Sequence, residues 1–399
     1  MERVMNLHSL QPRNNSVLTT QSTYTQDKYE DVIHALINIV NPSFCVFGIM
    51  GNVLNVVIFT RRKRTSFATH GEMEAVAYTG LIALAVSDMF YCTISLADTL
   101  FTDYGQIVYE DSQKLPRVIF QFCSRYLQNI FTYSSTWFTV IMAVNRYLAI
   151  CQPINARAFM TRQILMGTII AVFITWVLLL IPELQTSNLE VIYQNYTDPQ
   201  TNVTTIKTVY VFTLTELGRV YTFLYNMIGF VVPVIIMILC NTKIVQALHR
   251  ARRMRAECVY RSSSDPQGNL SIPNRPLTYT LVIVVVMFLV LVSPSEVFWL
   301  VYRVMGSEKI RCCYPEISLA FYISNVMNTL NFATNFLLYC IVNVHFRKTL
   351  MSMICRLKAR RASTNDIEDY IGANEYRCVK AGEQETQQII LRNLRDKYA

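Results

Sequence analysis

Charged side chains are scarce in this chain: Asp, Glu, Lys and Arg make up only 16% of its 399 residues. Six long stretches contain no charged residue at all. A seventh stretch, 75–97, has a single charged residue, Asp88. About 20 mostly apolar residues are enough for a helix to cross the hydrocarbon core of a membrane. The scarcity of charge argues against an ordinary soluble domain and predicts an all-α membrane protein with a bundle of seven transmembrane helices. The six charge-free stretches are 32–60, 126–145, 163–182, 220–242, 276–295 and 317–346.

Motifs for catalysis are missing as well. The chain has no Gly-rich phosphate loop, no His-Glu-x-x-His and no Gly-x-Ser-x-Gly, and its five histidines are scattered. It also lacks an internal repeat and the matched pair of Gly/Pro-broken spans that many transporters show. We therefore expect neither an enzyme nor a metal centre, and no cofactor other than an ion among the polar residues of the bundle.

The net charge of +9 is concentrated on one side of the predicted bundle. Lysine and arginine cluster after spans 1, 3, 5 and 7, whereas the opposite loops are acidic. The positive-inside rule then places the N-terminus outside and the C-terminus in the cytoplasm of a multi-pass protein, which we expect in the plasma membrane. Topology accounts for the basic clusters, so we expect no nucleic-acid partner. The glycosylation motifs at Asn14, Asn195 and Asn202 fall on the predicted outer side.

The predicted domain organisation follows from these spans. Residues 1–31 form a polar, disordered extracellular head, 32–342 the transmembrane domain and 356–399 a cytoplasmic tail. Residues 343–355 interleave apolar and basic side chains, which predicts a short amphipathic helix on the inner membrane surface. Cys355 is a candidate for acylation there, the alternative being an unmodified thiol. The transmembrane helices are expected at about 34–61, 73–100, 118–150, 161–184, 218–249, 276–304 and 316–342.

The longest outer loop, about 183–217, has a pattern of its own. Its segments 189–194 and 204–213 are rich in β-branched and aromatic residues, and Asp198-Pro199 between them is a turn signal. This pattern predicts a β-hairpin that lies over the extracellular mouth of the bundle.

Each span carries a polar or helix-breaking landmark. The landmarks are Gly51-Asn52, Leu84-Ala85-x-x-Asp88, Asn145-Arg146-Tyr147, Trp176, Pro233, Phe288 with Pro294, and Asn331 with Asn335-Phe336-x-x-Tyr339. In this order, over about residues 32–355, the set resembles rhodopsin-like G-protein-coupled receptors. The resemblance implies a heterotrimeric G protein, arrestin, a receptor kinase and membrane lipids as partners. A microbial-rhodopsin-type pigment would need a lysine in span 7, and 317–346 contains none.

Four of these landmarks are polar groups at mid-bilayer depth: Asn52, Asp88, Asn331 and Asn335. None can face lipid without a penalty of several kcal/mol, so we expect them to satisfy one another inside the bundle. The resemblance adds Ser135 and implies that Asp88 and its neighbours line a pocket for a sodium ion and water. The alternative is a static hydrogen-bonded cluster that only fastens helices together.

Other residues match the activation machinery of the family. The resemblance implies that Arg146 meets the G protein and that kinks at Pro233 and Pro294 act as hinges, the alternative being fixed bends. The matching residues are Asn145, Arg146, Tyr147, Pro233, Phe288, Pro294 and Tyr339.

The chain also departs from the family at the switch. Asn145 and Asn274 stand where relatives often have acids that restrain the arginine, so we expect raised basal activity. Val292 and Phe336 replace the usual tryptophan and proline. These replacements leave the details of the switch open, but not the fold.

The usual disulfide of the family is missing too. Cys123 lies close to the expected position at the outer end of span 3, but the loop 183–217 contains no cysteine. Cys312 or Cys313, before span 7, is the remaining partner on the outer side, and an unpaired Cys123 is the alternative.

The ligand is expected to be a short peptide. Gln128 stands where an amine receptor has an aspartate, and the acidic rim with a hairpin lid suits backbone amides and aromatic side chains. Glu296 is expected to pair with an arginine of the ligand, or internally with Arg303 or Arg125. The predicted ligand-binding residues are Asp98, Gln128, Glu296, Trp299, Arg303 and Tyr322.

Two segments, Tyr126-Leu127-Gln128 and Asn335–Cys340, are similar to invertebrate neuropeptide receptors of the FMRFamide-receptor-like kind and to thyrotropin-releasing-hormone receptors. The main interpretation is therefore a peptide-activated receptor. Its alternatives are a ligand-independent, constitutive or decoy seven-helix protein, and a receptor for a small non-peptide molecule.

Overall fold

The computed structural model describes residues 29–69, 72–101, 111–152, 154, 156, 161–197, 204–261, 275–305 and 315–361. Helix α5 consists of two α-helical parts, Glu216–Asn226 and Val232–Arg261, joined by a π-helical turn at Met227–Val231. The other helices are α1 (Asn41–Thr69), α2 (Glu72–Phe101), α3 (Asp111–Cys151), α4 (Arg162–Thr186), α6 (Arg275–Met305), α7 (Pro315–Val342) and α8 (Val344–Arg361).

Helices α1–α7 pack side by side as one bundle, with α3 in contact with α2, α4, α5 and α6, and α7 in contact with α6, α1 and α2. Among the described residues, α1, α2, α4 and α5 are long and apolar enough to cross a membrane by length and composition alone. Helices α3 and α7 carry many of the buried serines, threonines and asparagines, which lowers their hydropathy. Among the described side chains of α6, Val285–Val301 form an apolar stretch.

Two π-helical turns each end two residues before a proline. The segment Leu36–Val40 leads into α1 just before Pro42, and Met227–Val231 lies just before Pro233. Because proline has no N–H to offer the preceding turn, the ordinary α-helical bond is lost there and the chain widens locally. The distortion expected at Pro233 therefore takes the form of a widened turn in α5.

The loop after α4 folds as the predicted β-hairpin. Strand β1 (Ser187–Thr197) pairs antiparallel with β2 (Thr204–Leu214), from Ser187 opposite Leu214 to Thr197 opposite Thr204. Strand β2 lies against α3 and α5. Only Thr215 separates β2 from α5, and its hydroxyl caps the helix by accepting from the Gly218 N–H at 3.1 Å.

Helix α5 approaches α3 and α4 closely at Gly229. The ring of Tyr133 stacks on Trp176 with centroids 4.6 Å apart, and its hydroxyl donates to Asn226 Oδ1 at 2.7 Å. A Cβ added to Gly229 would lie 2.5 Å from Tyr133 Cδ1 and 2.9 Å from Trp176 Cη2. The glycine is therefore needed for this close helix–helix contact.

We expect Gly229→Ala to destabilise the protein by about 1–3 kcal/mol, because the added methyl group must displace two stacked rings. Gly167 on α4 is the matched control, since a Cβ there meets nothing within 4 Å. Gly167→Ala should be neutral or stabilising by up to about 1 kcal/mol. Thermal unfolding of the two variants in detergent measures the difference, and equal midpoints would contradict the contact.

An aromatic cluster joins α8 to the bundle. Asn343, between α7 and α8, accepts the backbone N–H of Phe346 on its side-chain oxygen at 3.1 Å, as an N-cap does. The Phe346 ring is 1% exposed, and its centroid lies 5.5 Å from Phe59, 5.8 Å from Phe336 and 5.7 Å from Tyr339. Phe336, which stands in place of the usual proline, thus helps to anchor α8.

Candidate functional site

Asp88 is the centre of the buried polar cluster. Its side chain is 0% exposed, and each carboxylate oxygen accepts a hydrogen bond. Ser135 on α3 donates to Oδ1 at 2.6 Å, and the Asn335 amide on α7 donates to Oδ2 at 2.6 Å. One carboxyl group therefore connects three helices through two short hydrogen bonds.

Asn52 was expected to hydrogen-bond with the other polar groups at mid-bilayer depth, but its bonds go elsewhere. Its amide donates to the backbone carbonyl of Phe332 at 2.9 Å, and its oxygen accepts from Asn55 Nδ2 at 3.2 Å. Asn52 therefore ties α1 to α7 through the backbone and not through the carboxylate of Asp88. Asn331 is buried on α7, one turn before Asn335.

The predicted ligand-binding residues lie on four helices, in the half of the bundle nearer the β-hairpin, which the charge distribution predicts to be the outer half. Asp98 is on α2, Gln128 on α3, Glu296 and Trp299 on α6, and Tyr322 on α7, and each side chain is half-buried. Trp299 packs against the cluster formed by Ile130, Tyr133, Trp176, Leu180 and Tyr225. Arg303 belongs to α6, but its side chain lies outside the described part of the chain.

The residues matched to activation lie on α3, α5, α6 and α7. Arg146 at the inner part of α3 is 8% exposed, Asn145 is half-buried, and the hydroxyl of Tyr147 accepts from Gln152 at 3.3 Å. Phe288 on α6 is buried in an apolar cluster with α3 and α5, and Pro294 lies within the continuous helix α6. Tyr339 is 1% exposed in the aromatic cluster below Asp88.

Several predicted sites fall wholly or partly outside the described residues. Cys123 is exposed on α3, but both candidate partners, Cys312 and Cys313, lie outside, so the disulfide stays a prediction. Asn14 and Asn202 also lie outside, and Asn195 is in β1. Cys355 is half-buried on α8, where acylation stays a prediction.

Some interhelical polar contacts were missed at the level of sequence. Ser87 on α2 donates to the Phe131 carbonyl of α3 at 3.1 Å, next to the Asp88 bonds. Tyr133 and Asn226 link α3 to α5. A polar residue in a charge-free span indicates that a buried hydrogen bond is needed, but the sequence does not identify the residue that provides the partner.

The sequence pattern of the 7 transmembrane receptor (rhodopsin family) matches residues 51–339, from α1 to α7. The chain belongs to this family. The receptor is therefore a multi-pass membrane protein with a seven-helix bundle, and its family is a class of receptors, as the landmarks indicated.

The receptor is also similar to named proteins. It is 26% identical over 342 residues to neurotensin receptor type 1 of Mus musculus, covering 81% of this chain and 76% of the relative. It is 26% identical over 221 residues to the galanin-like G-protein coupled receptor npr-9 of Caenorhabditis elegans, covering 52% and 46%. Sex peptide receptor-related protein 2 of the same organism is 24% identical over 243 residues, covering 57% and 52%.

Proposed function

We propose that this receptor binds a short extracellular peptide in the outer half of the bundle and activates a heterotrimeric G protein in response. The observation that carries the proposal is the likeness to receptors named for peptides, together with membership of the rhodopsin family. The protein lies in the plasma membrane with its N-terminus outside, and arrestin, a receptor kinase and membrane lipids are its further partners.

The geometry of the outer half supports a peptide ligand. A β-hairpin lies between α4 and α5, and half-buried side chains from α2, α3, α6 and α7 occupy the halves of these helices nearer to it. The set combines two acids and one amide, Asp98, Glu296 and Gln128, with the aromatic rings of Trp299 and Tyr322. Such a set offers hydrogen bonds to backbone amides and enclosure for aromatic ligand side chains.

A screen of amidated short peptides tests the proposal in cells that express the full chain. Calcium and cyclic-AMP responses are recorded, with vector-only cells as the control. We expect at least one peptide class to give a saturable response that requires the receptor. A receptor that reaches the cell surface and responds to no peptide would favour the alternative, a ligand-independent or decoy protein, or a small non-peptide ligand.

Glu296→Gln is expected to lower peptide potency by about tenfold or more, because it removes a partly desolvated negative charge from the pocket. Glu316→Gln is the matched control, since Glu316 is an exposed acid in the first turn of α7. Concentration–response curves for the active peptide measure both variants. Unchanged potency of Glu296→Gln would exclude pairing with a basic ligand group.

The cluster around Asp88 also suits a sodium ion. A carboxylate, the Ser135 hydroxyl and the amide oxygens of Asn331 and Asn335 are hard oxygen groups of the kind that such cations prefer. Each carboxylate oxygen accepts one hydrogen bond from the protein and has a further lone pair. A bound ion would supply a positive charge beside Asp88 and hold α2, α3 and α7 in the resting arrangement.

A further inference from the structure

A second set of polar residues lies in the outer half of the bundle, apart from the Asp88 cluster. On α6 the Ser295 hydroxyl donates to Asn325 Oδ1 of α7 at 3.2 Å. One turn further along α7, Thr329 donates to Asn41 Oδ1 of α1 at 2.7 Å. The Asn41 amide donates in turn to Ser95 Oγ of α2 at 3.3 Å. We call these five residues the outer polar chain, and it connects α6 through α7 to α1 and α2.

The outer polar chain meets α6 next to its proline. Ser295 directly follows Pro294, which interrupts the backbone hydrogen bonds of α6. The hydrogen bond from Ser295 to Asn325 therefore fixes α6 against α7 on the outer side of the break in backbone hydrogen bonding at Pro294. A small rotation at Ser295 becomes a larger displacement at Arg275, because the inner part of α6 extends from Pro294 to Arg275.

The inner part of α6 is packed differently. Val285, Phe288 and Val292 are buried against Val140, Ala143 and Met237 of α3 and α5. Apolar packing of this kind has no preferred direction, so it resists separation more than rotation or sliding.

We propose that the outer polar chain is the directional restraint that keeps α6 in its resting position, and that a ligand releases it at the bond between Ser295 and Asn325. That bond is the natural point of release, because 3.2 Å is beyond the usual range for an O–H···O bond. It also adjoins the proposed ligand site, since Glu296 follows Ser295 and Tyr322 lies one turn before Asn325. The ligand step rests on the proposed function.

Cysteine labelling of α6 tests the restraint without a ligand. Val285→Cys places a thiol on the inner part of α6, at a position that is 4% exposed in the closed bundle. The full-length receptor in lipid nanodiscs is treated with a water-soluble maleimide, and mass spectrometry of the α6 peptide gives the labelling rate at that position. Ser295→Ala should raise the rate about two- to tenfold, the change expected for the loss of one hydrogen bond.

The controls separate this restraint from general loosening. Ser324→Ala, one residue from Asn325, removes a hydroxyl that donates at 2.7 Å to the Phe321 carbonyl of its own helix, and it should leave the rate unchanged. Asn325→Leu should raise the rate as Ser295→Ala does, and the double variant should raise it no further. A wild-type rate in Ser295→Ala, or an equal increase in Ser324→Ala, overturns the proposal.

The labelling assay needs neither peptide nor G protein, so its outcome is independent of the peptide screen. Faster labelling of Ser295→Ala together with a failed screen would uphold the restraint and count against the proposed ligand class. Unchanged labelling together with a responsive peptide would refute the restraint and leave the receptor function in place.

Discussion

Replacing Asp88 by alanine is expected to lower the free energy of unfolding by about 2–4 kcal/mol. The carboxylate accepts from Ser135 on α3 and from Asn335 on α7, each at 2.6 Å, in a site that is fully buried. Without it two buried donors lose their acceptor, and each such loss costs about 1–3 kcal/mol. Thermal unfolding of the full-length receptor in detergent measures the loss as a lower midpoint.

Two variants act as controls for Asp88→Ala. Ser135→Ala removes one donor and leaves the carboxylate bonded to Asn335, so its loss should be smaller. Asp88→Asn keeps one acceptor oxygen but places an amide opposite the amide of Asn335, so an intermediate loss is expected. If all three variants unfold at the wild-type midpoint, the cluster does not fasten the helices.

The same proteins test the proposed ion. Sodium chloride should raise the midpoint of the wild-type receptor above its value in an equal concentration of choline chloride, because an ion that binds only the folded protein stabilises it. Asp88→Ala should abolish this difference. A wild-type receptor with equal midpoints in the two salts would favour the static hydrogen-bonded cluster.

Replacing Phe346 by alanine is expected to destabilise the junction of α7 and α8 by about 3–5 kcal/mol, as for other buried phenylalanines. The ring is 1% exposed and lies within 6 Å, centroid to centroid, of Phe59, Phe336 and Tyr339. Its loss leaves a cavity at the inner end of α1 and α7. Hydrogen exchange should report faster exchange in α8, and thermal unfolding a lower midpoint.

Met351 provides the matched control for this prediction, because it is on the same helix and is 56% exposed. Met351→Ala should change stability by less than about 0.5 kcal/mol. Phe346→Leu fills part of the cavity and should recover part of the loss. Equal exchange rates in α8 for Phe346→Ala and Met351→Ala would show that the aromatic cluster does not anchor this helix.

Much of the fold could be predicted because the membrane imposes simple rules. Charge-free stretches have to be helical in lipid, and the β-hairpin was visible in its β-branched segments and its Asp-Pro turn signal. The need of Asp88 for polar partners also followed from its depth, and Ser135 and Asn335 lie on its two oxygens.

The remaining contacts could not be read from residue types. Hydroxyl groups in helices often bond to their own backbone, as Ser324 does to Phe321 and Thr334 does to Leu330. Ser295 has the same chemistry but donates to a side chain of the neighbouring helix α7. The Thr329 hydroxyl lies 3.2 Å from the Asn325 carbonyl of its own helix and at a shorter 2.7 Å from Asn41 Oδ1 of α1. Which of these outcomes occurs depends on the rotation of each helix and on its distance from the next, and the sequence specifies neither locally.

The short connections of the hairpin have a mechanical consequence. Strand β1 begins directly after α4, and Thr215 is the whole connection between β2 and α5. A hairpin with such short connections cannot move independently of the helices that it joins. A displacement of the hairpin is therefore transmitted directly to the adjoining ends of α4 and α5. We therefore expect an antibody or nanobody that binds the hairpin to displace the adjoining end of α5 and to alter signalling without entering the proposed ligand site.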